Sequence, residues 1–149
     1  VPGNLIRNGD FSMGTQYWGL TVASGGPPTL FTDTGEYCVF NMSSTSYMSF
    51  SLGFPVDPAD AFVVDAGATY TLSYRANAVG ATIGVKIGHA TDPYTPVYSA
   101  TDTPYLAGYQ TYTHFVSAPG GDTGAGLVFN VTLVYYSNVC FDDVRLVRQ

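Results

Sequence analysis

Apolar and polar residues alternate one for one over several short stretches of this chain, a period that belongs to strands with one buried face. In TYTLSYRA, residues 69–76, Tyr70, Leu72 and Tyr74 fall on one side while Thr71, Ser73 and Arg75 fall on the other. YMSFSL repeats the device with Met48, Phe50 and Leu52 inward, and GLVFNVTLVY with Leu127, Phe129, Val131 and Leu133 inward. The opposite face is small or polar in each case. Between these runs lie SGGPPT, VDPAD, VDAGA, ATDPYTP and APGGDTGAG, whose Gly, Pro and Asp supply the backbone angles of turns. Helical periodicity is nearly absent. Short strands separated by such turns predict an all-β chain folded as an antiparallel β-sandwich. Residues 89–115 are dense in tyrosine and proline and read as loops flanking one strand near Tyr109 to Val116.

The last run, VCFDDVRLV, breaks the pattern. Val139, Phe141, Val144 and Leu146 suffice for packing, so Cys140, Asp142 and Asp143 need another task. Either the two aspartates flank a bulge or they serve a site.

Composition narrows the partners. The chain of 149 residues is long enough for one real core, and residues 1–149 read as a single domain. Charged residues are 11%, against about 25% in ordinary globular proteins. With one lysine and a net charge of −6, the chain has no basic footprint for nucleic acid or anionic membrane. No apolar run reaches the roughly 20 residues of a membrane span. Cys38 and Cys140 are too few for a metal cluster and form no C-x-x-C pair, so a disulfide in an extracellular setting is the expectation.

Catalytic signatures are thin. Asp57, Asp60, Asp65 and Asp122 sit in turn contexts where aspartate caps its own backbone, and His89 and His114 show no metal-ligand spacing. Asn41-Met-Ser and Asn130-Val-Thr match the glycosylation pattern by spacing alone. The excess is in aromatics, 15% of the chain with twelve tyrosines. Tyr70 and Tyr74 belong to a core, but Tyr94 follows Asp-Pro in a turn and Tyr47 lies on the polar side of its strand. Exposed rings beside hydroxyls and amides suit sugars, which offer C–H faces to stack and hydroxyls to pair.

The two ends carry a resemblance. NLIRNGDFSMGTQYWGL at the start and VCFDDVRLV at the end resemble carbohydrate-binding modules of family 4 and its relatives in families 9 and 22, and GATYTLSYRANA resembles a strand of the same modules. GEYC, ending at Cys38, and CFDDV, beginning at Cys140, look like the two halves of the disulfide found in cellulose-binding members. The resemblance implies a jelly-roll sandwich with a concave glycan-binding face. It also implies a structural calcium held by Asp10, Gly35 through its carbonyl, and Asp142.

Carried over residue by residue, it implies a stacking ring at Tyr94 and a hydrogen-bonding side chain at Asn130, with Thr132, Tyr47, Ser49 and Lys86 on the cleft side. Trp18 falls at a core position. Beyond it, where a cellulose-binding relative has a second cleft tyrosine, this chain reads Gly19-Leu20-Thr21, which points away from cellulose to another β-glucan, xylan or a differently shaped chain. The expectation is a secreted, extracellular, non-catalytic module. It is expected to be monomeric, tethered to a bacterial glycoside hydrolase, and to bind single β-glucan-type polysaccharide chains. The alternatives are a xylan-binding module, a structural or adhesive sandwich, and a small glycan-cleaving enzyme.

Overall fold

A computed structural model describes residues 3–25, 29–31 and 35–149. The described strands are β1 (Gly19–Ser24), β2 (Thr29–Phe31), β3 (Tyr37–Phe40), β4 (Met48–Phe54), β5 (Phe62–Val64), β6 (Ala68–Ala78), β7 (Ala81–His89), β8 (Pro96–Asp102), β9 (Tyr109–Ala118), β10 (Asp122–Leu133) and β11 (Asn138–Arg148). They form two antiparallel sheets. One runs β1-β4-β10-β7-β8 with β5 also paired to β10, and the other runs β2-β3-β11-β6-β9. The pairings are nested: β7 with β8, β6 with β9, β4 with β10 and β3 with β11. Such a folded-over double ribbon, wrapped so that successive pairs change sheet, is a jelly roll.

The alternation read from the sequence is the burial pattern. Met48, Phe50, Leu52, Tyr70, Leu72, Tyr74, Leu127, Phe129, Val131 and Leu133 all lie in the one core between the sheets. Its centre is aromatic: Phe129 lies 4.6 Å from Phe141 and 4.9 Å edge-on from Tyr74, ring centre to ring centre. Trp18 is core, stacked against Phe129, and its indole N–H donates to the Asn8 carbonyl at 3.1 Å. Offset and edge-on pairs of this kind add to the gain from burial alone.

Residues 96–102 differ from the loop expected there. They form β8, which lies at the edge of its sheet, where Pro96 needs no ladder partner for the N–H it lacks. At this edge the sheets are stitched together by polar groups. Asp102 on β8 accepts from Tyr74 Oη and lies 2.7 Å from His114 Nε2 on β9, while His114 Nδ1 lies 3.2 Å from Tyr98 Oη.

The Asp142-Asp143 pair sits in a bulge. Val139 and Phe141 have odd numbers and Val144 and Leu146 even ones, yet all four are buried. A regular strand would put the two pairs on opposite faces. The register of β11 against β6 shifts between Asp142 and Arg145, with Asp143 at φ 49°, and the extra residue restores the inward direction. The opening segment packs onto this bulge. Val144 N–H donates to the Gly9 carbonyl at 2.8 Å, and a Cβ on Gly9 would fall 2.0 Å from the Val144 oxygen, so only glycine fits there. Asn4 closes the seam, donating to Val144 O and accepting from Leu146 N.

Cys38 and Cys140 face each other across β3 and β11 and form a disulfide spanning 102 residues of sequence.

Candidate functional site

The outward face of the six-stranded sheet is built from the residues between the buried ones. Reading across the strands, one row is Gly19, Gly53, Val128, Lys86 and Ser99, and the next is Thr21, Ser51, Asn130, Gly84 and Thr101. Every member is small or polar except Val128. Glycine at 19 and 53 leaves backbone as the floor, and a groove of about 600 Å³ lies over it.

Two loops raise one wall of the groove. The β7–β8 turn is closed by Tyr94 N–H donating to Thr91 O at 2.8 Å, and it presents the Tyr94 ring 54% exposed. Pro55 and Val56 follow β4, pinned where Val56 N–H donates to the Tyr17 carbonyl at 3.1 Å. The Ser51 hydroxyl donates to Asn130 Oδ1 at 2.7 Å, which fixes the amide and leaves its NH2 to donate outward. Lys86 supplies the charge. Arg7, Arg75, Arg145 and Arg148 each pair with aspartate, whereas Lys86 has no such partner among the described residues.

The structure therefore gathers Tyr94, Asn130 and Lys86 around one groove. Ser49 and Thr132 lie on the same face one row further along, paired with each other and, through Thr132, with Thr82. Tyr47 is two residues beyond Ser49, outside the groove lining, with its ring edge-on to Tyr135 at 5.9 Å. Sequence reasoning missed Ser51, Pro55 and Val56. Ser51 was visible as the next outward position after Ser49; the two wall residues leave no local signal, because their place depends on Tyr17.

The residues expected to hold calcium lie around the junction of the two chain ends. Asp10 accepts from Ser12 N at 3.2 Å and Ser12 Oγ at 2.9 Å, and these bonds, the backbone one first, hold its carboxyl below the usual range. Asp142 is pushed up, first by burial and then by the negative charges of Asp143 and Asp10, with Arg75 the opposing cation at 3.5 Å. Gly35 N–H donates to the Phe11 carbonyl at 3.4 Å. Glu36, Cys38 and Cys140 also converge, but both sulfurs are committed to the disulfide.

Asn41 is no glycosylation site. It is 2% exposed, and its Nδ2 donates to the carbonyls of Ser46, Leu133 and Val134. No helix among the described residues is long and apolar enough to cross a membrane.

No protein-family model matches the sequence, and no curated relative does. Solved structures do share its fold. A family 4 carbohydrate-binding module aligns over 97% of this chain and 99% of its own, with a TM-score of 0.66 and 20% identity. The N-terminal cellulose-binding domain of Cellulomonas fimi β-1,4-glucanase C aligns over 89% of this chain and 88% of its own, at TM-score 0.59 and 23% identity. A family 61 module solved with β-1,4-galactotriose aligns over 98% and 99%, at TM-score 0.62 and 13% identity. The sandwich is thus that of carbohydrate-binding modules of the family 4 kind.

Proposed function

We propose that the chain is a non-catalytic carbohydrate-binding module of a secreted glycoside hydrolase, and that it holds single, neutral β-glucan-type chains in the groove over Gly19 and Gly53. The observation that carries this reading is the composition of the groove. An exposed Tyr94 ring stands beside Asn130, Ser51, Thr21 and Lys86, and no carboxylate lines it among the described residues. A ring and fixed amide and hydroxyl groups match what a sugar chain presents, while glycoside hydrolysis calls for a facing pair of carboxylates. The ligands named for two of the similar structures, cellulose and β-1,4-galactotriose, are uncharged chains as well. The disulfide fits an extracellular setting.

A groove of this kind takes one chain and cannot accept a flat crystalline surface. Each stacked ring and each paired hydroxyl contributes modestly, so affinity rises with chain length until the groove is full, reaching about −6 to −8 kcal/mol. Affinity electrophoresis against cellulose derivatives, mixed-linkage β-glucan, β-1,3-glucan and xylan identifies the preferred chain. Tyr94→Ala lowers affinity for it at least tenfold by titration calorimetry while the melting temperature holds. Unchanged affinity removes Tyr94 from the site, and retention on none of these polymers overturns the reading.

Calcium belongs to the same proposal, as a clamp remote from the sugar. Asp10, Asp142 and the Gly35 carbonyl are hard oxygen donors of the kind calcium prefers. What supports this reading is that Asp142 is partly buried and feels the like charges of Asp143 and Asp10, with Arg75 the opposing cation. Bound there, the ion would neutralise the carboxylates and fasten the opening segment to the β11 bulge. The melting temperature is expected to rise with millimolar calcium and fall with chelator; identical melts exclude the clamp.

A further inference from the structure

Tyr47 and Tyr135 stand apart from the groove yet are not packed away. Their rings meet edge to face at 5.9 Å, with Tyr47 56% and Tyr135 46% exposed. Exposed aromatic surface costs solubility, so a cluster of it calls for an occupant.

The patch is also rigidly built. The loop before β4 and the hairpin between β10 and β11 carry the two tyrosines, and buried Asn41 ties those segments together. Its Nδ2 reaches the carbonyls of Ser46, Leu133 and Val134, its backbone N–H donates to Ser137 O at 2.8 Å, and Tyr136 N–H donates to Ser43 O at 3.0 Å. A buried amide with all its bonds invested in two loops orders the rings before any ligand arrives, so binding there orders little more.

Position indicates the occupant. Tyr47 lies four residues before Ser51 on the same strand direction, about 14 Å at the rise of an extended chain. The interval is filled by the hydroxyls of Ser49, Thr132 and Thr82, one uninterrupted polar row beside the groove. The groove crosses the strands from β1 to β7, so a chain in it runs alongside this platform and does not end on it.

We infer that Tyr47 and Tyr135 form a second sugar-stacking platform, which takes a sugar ring lying beside the groove-bound backbone. This rests on the proposed function and adds a second contact to it. The ring comes either from a side branch of the bound polysaccharide or from a neighbouring chain. Two weak contacts on one polymer multiply through effective concentration, without either being strong alone.

The test compares the intact chain with Tyr135→Ala and with Tyr47→Ala/Tyr135→Ala, each checked for an unchanged melt. Three probes are titrated: cellohexaose, a xyloglucan oligosaccharide with the same backbone plus branches, and soluble barley β-glucan. Both variants keep the intact chain's affinity for cellohexaose. If branches occupy the platform, the double variant loses about tenfold on the xyloglucan oligosaccharide; if neighbouring chains do, it loses about tenfold on barley β-glucan alone. Losses below twofold on all probes overturn the platform, as does an equal loss on all three, which would make the rings part of the groove. Tyr94→Ala separates the two ideas: it weakens all three probes if the groove reading holds, whatever the platform does. If the intact chain binds none of the three probes the platform falls, whereas the groove reading falls only with failure on the whole polymer panel.

Discussion

At the scale of single residues, the glycines of the groove floor separate binding from folding. Gly53 lies next to the end of β4 with no positive φ, and a Cβ there would meet the Val128 methyl at 3.6 Å and the Leu127 carbonyl oxygen at 3.8 Å, both ordinary contacts. Valine suits a strand better than glycine does. Gly53→Val is therefore expected to hold or slightly raise the denaturation midpoint while its side chain fills the floor and lowers polysaccharide affinity severalfold. Chemical denaturation and calorimetry on one preparation check both halves, and unaltered binding would mean the sugar passes elsewhere. Asn41 and Asn130 make the complementary point. Both match one sequence pattern, yet one is a buried clamp between loops and the other a half of a fixed donor pair in the groove. The glycosylation pattern does not distinguish them; the alternation around Asn130 does, by placing it on the outward face of its strand.

At the scale of elements, the strands with clean alternation were legible because a face that must be dry imposes its period on the sequence. The β8 strand was not, since an edge strand with proline at its head needs neither alternation nor a full set of N–H donors. The groove was half legible. Asn130 lies on the outward side of a strand with clean period and Tyr94 in a turn, Lys86 was reached only through the family resemblance, and the Pro55-Val56 wall arises from contact with a distant loop. The β8–β9 edge yields a pH dependence. Tyr74 is pushed far up, first by burial and then by its bond to Asp102. A phenol held protonated in the fold contributes stability that is complete below its ordinary pKa of about 10 and is lost as pH rises beyond it. Urea midpoints are expected to be flat from neutral pH to about 10 and to fall above it. Tyr74→Phe costs about 1–2 kcal/mol at neutral pH through loss of a buried donor to Asp102, and its alkaline decline is shallower. An equally steep decline in that variant would assign the effect to other tyrosines.

At the scale of the whole molecule, the disulfide joins β3 and β11 across 102 residues. Chain-entropy arithmetic sets the stabilisation from closing a loop of about a hundred residues near 4.7 kcal/mol. The Cys38→Ser/Cys140→Ser variant is expected to lose a comparable amount by denaturant titration, and an unchanged midpoint would show that the nested pairing alone suffices. The crosslink also partitions the molecule. Strands β4, β7 and β10, which carry most of the groove, lie within the covalent loop, and β1 lies outside it. If the chain is tethered to an enzyme as proposed, a module gripping a fixed polymer while that enzyme drifts is under tension. Pull applied through the chain on either side is routed from sulfur to sulfur and bypasses the enclosed strands. Only the segments before Cys38 and after Cys140 can be drawn out, so under load this protein should fray at its seam while its hold on the polymer persists.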